Sequence, residues 1–272
     1  MATIVPFESR MMGYLDLTGR FPYPSSNGNQ YIMVAYDYDS NAIIAQPIKN
    51  RQAATMRDAF NTIVSKLSKR GAKPSLFILD NEISGEFKQA LEKHKCSFQR
   101  VPPYQHCRNA AERAIQTFKN HFVAGLASTN PSFPISEWDH LIEQATITLN
   151  LLQNSRLNPN LSSYAFLFGN FDFNKTPLAP PGTKVLAHEK PSNRATWAPH
   201  GVEGWYTGPV MEHYRCVTAY IMSTMDTRVC DTVEFFPHDI PLPATSDADY
   251  LKQAAEDILA ILRKPKPTLP YL

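Results

Sequence analysis

The chain has no run of eighteen apolar residues, no C-x-x-C pair and no glycine-rich phosphate loop, and each absence removes a class of function. Without a long apolar run there is no candidate membrane-spanning helix, and the N-terminal stretch MATIVPFESRMMGYLDLTG lacks the basic, apolar and small-residue regions of a signal peptide. An intracellular protein with no membrane partner is expected. The four cysteines (Cys96, Cys107, Cys216 and Cys230) indicate neither a disulfide framework nor a zinc finger, so reduced thiols are expected. His94, Cys96, His106 and Cys107 bracket a predicted strand without ligand spacing. The turn-rich stretch TGRFPYPSSNG holds too little glycine to cradle a phosphate, and no internal repeat is visible.

What remains is an ordinary globular composition. At 272 residues and 43% hydrophobic, the chain can bury a sizeable core and divide into two domains. Net charge is only +2, but it is unevenly spread. Residues 1–128 hold 16 Lys and Arg against 10 Asp and Glu, whereas residues 129–272 hold 11 against 15. A net +6 in the first half suits an anionic partner, and a polyanion such as nucleic acid fits the asymmetry.

Hydrophobic periodicity orders the elements. MMGYLDL, YIMVAYDYD and AIIAQPI read as three consecutive antiparallel strands joined by turns, with Asp37 and Asp39 as turn formers. QAATMRDAFNTIVSKLSKRG then places Ala53, Met56, Phe60, Ile63, Val64 and Leu67 on one helical face and stops at Gly71. PSLFILD reads as a strand covered on both faces, followed by the helix GEFKQALEKHK and the strand CSFQRVP. A helix opening at RNAAERAIQTFKNHF carries Ala111, Ile115, Phe118 and Phe122 on its apolar stripe. A second runs through PISEWDHLIEQATITLNLLQNS, with Trp138, Leu141, Ile142, Ala145, Thr148, Leu149 and Leu152 inward. Strands alternating with helices imply a mixed sheet with helices on its faces. Beyond the proline-rich FNKTPLAPPGTK, short strands at regular spacing predict a small β-barrel whose Trp205, Tyr206, Tyr214 and Tyr220 are mostly core. A helical, proline-rich tail closes the chain.

Three carboxylates fall where chemistry could use them. Asp16 lies in a strand whose neighbours Leu15 and Leu17 face the opposite side. Asp80 ends the strand SLFILD, at the edge of an α/β sheet where ligands usually bind. Glu112 opens the following helix, sharing a face with Gln116 and Lys119. Each has a purely structural alternative: a solvent-facing strand residue, a turn or cap, and a near capping box from Asn109 to Glu112. Glu82 and Glu86 crowd Asp80, and Glu86 suits a helix start. Brought together, the three oxygen-only side chains would form a site for a hard cation, Mg²⁺ or Mn²⁺ rather than zinc.

The motifs GYLDLTGRFP, FILDNEISGEF and PPYQHCRNAAER, in this order, resemble the catalytic core of retroviral and retrotransposon integrases, a branch of the ribonuclease-H-like superfamily. The stretch from GTKVLAHEK to VEFFP is similar to the region after the catalytic core of copia-type retrotransposon polyproteins. The resemblance implies an α/β fold: a ribonuclease-H-like domain over residues 10–176 with a mixed five-stranded sheet flanked by helices, a small β-barrel over 177–240, and a tail over 241–272. It implies a metal-dependent integrase that processes 3′ ends and joins them to target DNA. Asp16, Asp80 and Glu112 would be its catalytic metal ligands for two ions, with Arg108, Asn109, Gln116 and Lys119 contacting DNA. It further implies double-stranded DNA as partner, a homo-oligomer, and action in the nucleus when the target is chromosomal. Ala110 stands where the family has glycine, Gln116 where a second base is common, and the interval between Asp80 and Glu112 is short. Those departures suit a degenerate or host-adopted remnant that binds DNA or protein without catalysis. The amino-terminal His/Cys zinc module of complete integrases is absent from this sequence, so a fragment or excised domain pair is expected.

Two measurable expectations follow from the residues. The carboxyl oxygens of Asp16, Asp80 and Glu112 should lie within about 4–8 Å of one another in a crystal structure, the span of a two-metal site. Residues 182–240 carry 5 Lys and Arg against 7 Asp and Glu. In a filter-binding assay this region should bind duplex DNA poorly and with little salt dependence.

Overall fold

The computed structural model describes residues 9–68, 74–79, 84–100, 110–189, 197, 199–237, 251, 254 and 255. Strands β1 (Met12–Leu17), β2 (Tyr31–Asp37) and β3 (Ala42–Ile48) form the expected antiparallel meander. After helix α1 (Ala53–Ser68), strand β4 (Leu76–Leu79) returns beside β1 and runs parallel to it. Helix α2 (Gly85–Lys93), whose first turn is capped by the Ser84 hydroxyl accepting from the Phe87 N–H, leads to β5 (Ser97–Arg100), parallel to β4. The sheet order is β3-β2-β1-β4-β5, a mixed five-stranded sheet.

Strand alternation sends side chains to two cores. Leu15, Met33, Ala35, Ile44, Phe77 and Leu79 meet Phe60, Ile63 and Leu67 of α1 and Phe87 and Leu91 of α2 on one face. Tyr14, Ile32, Val34, Tyr36 and Ile43 meet the helices of the other face: α3 (Ala110–Ala127), a 3-10 segment over Ile135–Leu141, and α4 (Ile142–Leu152). A short helix α5 (Ser163–Phe168) contributes Leu167 to the first of these cores. Strand β4 departs from the expectation of cover on both faces. Phe77 and Leu79 are buried, but Leu76 and Ile78 are only half-buried, and every residue of β5 at the sheet edge is exposed.

The predicted helix over 135–152 is also broken. It begins as 3-10 turn, with Glu137 in a non-helical conformation, and becomes α-helical only at Ile142. Leu152, expected inward, is 72% exposed, whereas Gln144, Thr146, Ile147 and Asn150 are buried. The reason is that α4 is covered on more than one side: by β3, by α3, by α5 and by a second sheet. Its polar residues therefore needed partners. Asn150 finds them in the backbone of Ile43, donating Nδ2–H to the carbonyl at 2.7 Å and accepting the N–H through Oδ1 at 2.8 Å. An amide side chain thus completes the ladder of the edge strand β3.

The second sheet comprises β6 (Lys184–His188), β7 (Gly201–Pro209), β8 (Val217–Ile221), β9 (Asp226–Cys230) and β10 (Val233–Phe235), all antiparallel in the order β10-β6-β7-β8-β9. Val185, Ala187, Tyr206, Val217, Ala219 and Ile221 build its own core. Trp205 and Tyr220 turn the other way into the core of α3 and α4, where Trp205 meets Phe133 edge-on. Tyr214 is exposed, so three of the four aromatics are core as expected. Residues 1–240 form one compact unit and 241–272 another, in which Leu251, Ala254 and Ala255 are helical. Among the described residues Cys96, Cys216 and Cys230 are free thiols, and no helix is long and apolar enough to cross a membrane.

Two outcomes test this account. Asn150→Ala strips both partners from the buried Ile43 backbone and should cost about 2–4 kcal/mol in a denaturant titration. Asp37 accepts the N–H and hydroxyl of Ser40, yet burial dominates and pushes its carboxyl up to about 6. A raised carboxyl binds its proton more tightly in the folded chain, so the associated stability is present below about pH 4 and is lost as pH rises through about 6. Asp37→Asn should flatten that decline in thermal melts between pH 4 and 7.

Candidate active site

Asp16 is the penultimate residue of β1 and is half-buried. It shares parity with Tyr14, which faces α3, while Leu15 and Leu17 face α1 and α2. Its Oδ1 accepts the N–H of Leu17 at 2.7 Å. The parallel register pairs Leu15 with Leu79, the residues immediately before Asp16 and Asp80. Asp80 itself lies outside the described residues, as do Glu82, Arg108 and Asn109, and with them the capping-box reading.

Glu112 stands in the first turn of α3 and is exposed. The roll of that helix is set by Ala114, Ile115, Phe118 and Phe122, all buried. The Phe118 and Phe122 rings stack 5.7 Å apart, Phe122 meets Trp138 edge-on, and Phe21 stacks on Trp138 at 4.3 Å. Each aromatic pair adds about 0.5–1.5 kcal/mol to burial alone. Locked this way, α3 packs on β1 and β2 and keeps Glu112, Arg113, Gln116 and Lys119 exposed. Asp16 and Glu112 are therefore on elements that touch. Elsewhere, Glu86 is exposed and pairs with Arg57 at 3.5 Å, as its helix-start position suggests.

The structure also assembles residues that the sequence reading passed over. Ser25, Ser26, Asn27 and Asn29, in the connection between β1 and β2, surround Glu137 and Asp139 of the 3-10 segment. His140 lies 3.3 Å from Glu137 Oε2 and 4.0 Å from Asp139 Oδ1. The signal available in the sequence was the E-x-D-H run itself, masked by an apparently regular amphipathic helix.

No protein-family model and no curated protein matches the sequence. Solved structures with a similar course of chain include the simian T-cell lymphotropic virus intasome in complex with PP2A regulatory subunit B56 gamma. That match has 17% identity and a TM-score of 0.46, and covers 86% of this chain and 79% of the other. The catalytic core domain of BIV integrase matches at 15% identity and a TM-score of 0.42, over 58% of this chain and 93% of its own. The HTLV-2 integrase catalytic core domain in complex with magnesium matches at 21% and 0.44, over 57% and 95%.

Because Glu112 is exposed and outside the core, Glu112→Gln should shift stability by less than about 1 kcal/mol in thermal unfolding. A larger loss would return this residue to a structural role at the start of α3.

Proposed function

We propose that this chain is a divalent-metal-dependent polynucleotidyl transferase of the integrase type, with Asp16, Asp80 and Glu112 as ligands for Mg²⁺ or Mn²⁺. The observation that carries the reading is the parallel pairing of Leu15 with Leu79, which brings the residues preceding Asp16 and Asp80 side by side. Asp16 belongs to the face that α3 covers, and Glu112 opens α3. The donor set is carboxylate oxygen only, as a hard cation requires, and Asp16 and Glu112 are accessible enough to keep part of its water shell.

Two bound ions would activate the attacking oxygen and stabilise the leaving one in an in-line displacement. The side chains of the triad hold and orient that site. Gln116 and Lys119 on the exposed stripe of α3, with Arg108 and Asn109 before it, contact the phosphate backbone and set the register of the duplex. Water then cleaves near a 3′ end, releasing a 3′ hydroxyl that attacks a target phosphodiester and displaces its 3′ oxygen. Element ends and target DNA are the substrates, a homo-oligomer is the working form, a copia-type retrotransposon is the source, and the nucleus is the place of action on chromosomal DNA. With 5 Lys and Arg against 7 Asp and Glu over residues 182–240, the region of the second sheet serves protein contacts rather than DNA. Ala110 and Gln116 favour a second reading, a remnant that binds DNA or protein without catalysis.

Labelled duplex incubated with the full chain separates the two. Strand-transfer products should appear with Mn²⁺ and vanish with EDTA. In Asp16→Asn and Glu112→Gln they should fall about a hundredfold or more, equivalent to about 3 kcal/mol of transition-state stabilisation, while melting temperatures hold. DNA binding without any metal-dependent product in the wild type would favour the remnant.

A further inference from the structure

Among the described residues, Glu137, Asp139 and His140 bring ligand atoms within 4.8 Å of one another. Glu137 and His140, three residues apart, come within 3.3 Å of each other across the kinked 3-10 segment. Trp138 and Leu141 anchor its opposite side in the core, at 0% and 1% exposure. Glu137 and Asp139 are both buried, and among the described residues neither forms an ion pair with lysine or arginine; the half-buried His140 is the basic group within 4.0 Å of both. Two buried anions side by side are costly without a positive charge between them.

Their hydrogen bonds are arranged asymmetrically. Asp139 Oδ2 accepts three donors, Ser25 Oγ at 2.7 Å, Asn29 Nδ2 at 2.7 Å and Asn27 Nδ2 at 3.1 Å. Its Oδ1 is buried and has no hydrogen-bond partner among the described residues. Glu137 Oε2 accepts the Ser26 hydroxyl at 2.8 Å and Oε1 that of Ser136 at 3.1 Å. The carboxylates are thus oriented from behind, and one oxygen is held out unsatisfied. A second orphan belongs to a different element: Gln144 Oε1, on α4, is buried without a partner among the described residues, and Gln144 lines with Asp139 and His140 a cavity of about 280 Å³. Lys66 lines that cavity too but pairs with neither carboxylate.

We propose that Glu137, Asp139 and His140 bind one Zn²⁺ ion, through a Glu137 carboxylate oxygen, Asp139 Oδ1 and His140 Nε2, with a fourth position open to the cavity lined by Gln144. Imidazole together with two carboxylates favours zinc over magnesium or calcium, and three protein ligands with one open position are a recurring zinc arrangement. Metal–ligand bonds of about 2.0–2.2 Å require the ligand atoms to draw in by roughly 1 Å, within reach of small side-chain rotations. The serines and asparagines of the β1–β2 connection hold the carboxylate ligands from outside, so the hydrogen bonds that tie that connection to the 3-10 segment also orient the site. This site shares no residue with the triad of Asp16, Asp80 and Glu112 and does not depend on it.

The test is a Zn²⁺ titration of the full chain, stripped with a chelator, against a chromophoric competitor. One ion per chain is expected, with affinity unchanged in the Asp16→Asn, Glu112→Gln double variant and weakened about ten- to a hundredfold in His140→Ala. X-ray absorption of the zinc-loaded wild type should show nitrogen and oxygen neighbours at about 2.0–2.2 Å with imidazole scattering. Absent binding, unaltered affinity in His140→Ala, affinity lost only in the double variant, or a sulfur in the first shell would overturn the proposal. The absorption measurement decides the matter if His140→Ala does not fold.

Discussion

The architecture rests on one strand with two unlike neighbours and two covered faces. β1 pairs antiparallel with β2 and parallel with β4, so its odd and even positions must satisfy separate cores. Leu15 fills the α1 and α2 side and Tyr14 the α3 side. Gly13 is required for close approach, since a Cβ there would meet the Phe77 ring at 2.6 Å. Phe77 in turn packs edge-on to Phe60 of α1. With those positions occupied, the next even residue of the strand points to the α3 side as a carboxylate, and this is Asp16. A charge at the end of a central strand is tolerable only near the sheet edge, where water or a cation can reach it.

The second sheet changes what the first can afford to bury. By seating Trp205 and Tyr220 against Phe133 and the 3-10 segment, it encloses α4 far more completely than an amphipathic surface helix. Several polar residues of α4 are therefore interior, and their donors are matched within the fold. Asn150 serves the backbone of Ile43, and the Thr146 hydroxyl donates to the Ile142 carbonyl. Gln144 donates to the Ala179 carbonyl, in the connection between the two sheets. The same enclosure buries Glu137 and Asp139, which is why the β1–β2 connection is rich in serine and asparagine: short donors satisfy carboxylates without bringing charge.

Much of this was written locally. The apolar runs YIMVAYD and AIIAQPI reveal strands, and the 3.6-residue stripe of α1 and the Phe118 and Phe122 pair reveal helices and their inward face, because periodicity records which side of a helix meets a core. Asp16 and Glu112 stand out by their places in a strand and at a helix start as well as by the motifs, and both lie on elements in contact. What lay beyond reach was pairing at a distance. Whether β4 adds to β1, and in which register, depends on the packing of α1 against Phe77. The cover of α4 comes in part from a sheet assembled more than thirty residues later, and Asn150 meets the Ile43 backbone from far along the chain. Glu137 and Asp139 meet their donors across 110–114 positions of sequence. The sequence determined the elements, their faces and the chemical types on them, since these depend on neighbours within a turn or a strand. Only the tertiary structure decided which of those types share a site, because that depends on the packing of surfaces the local pattern does not encode.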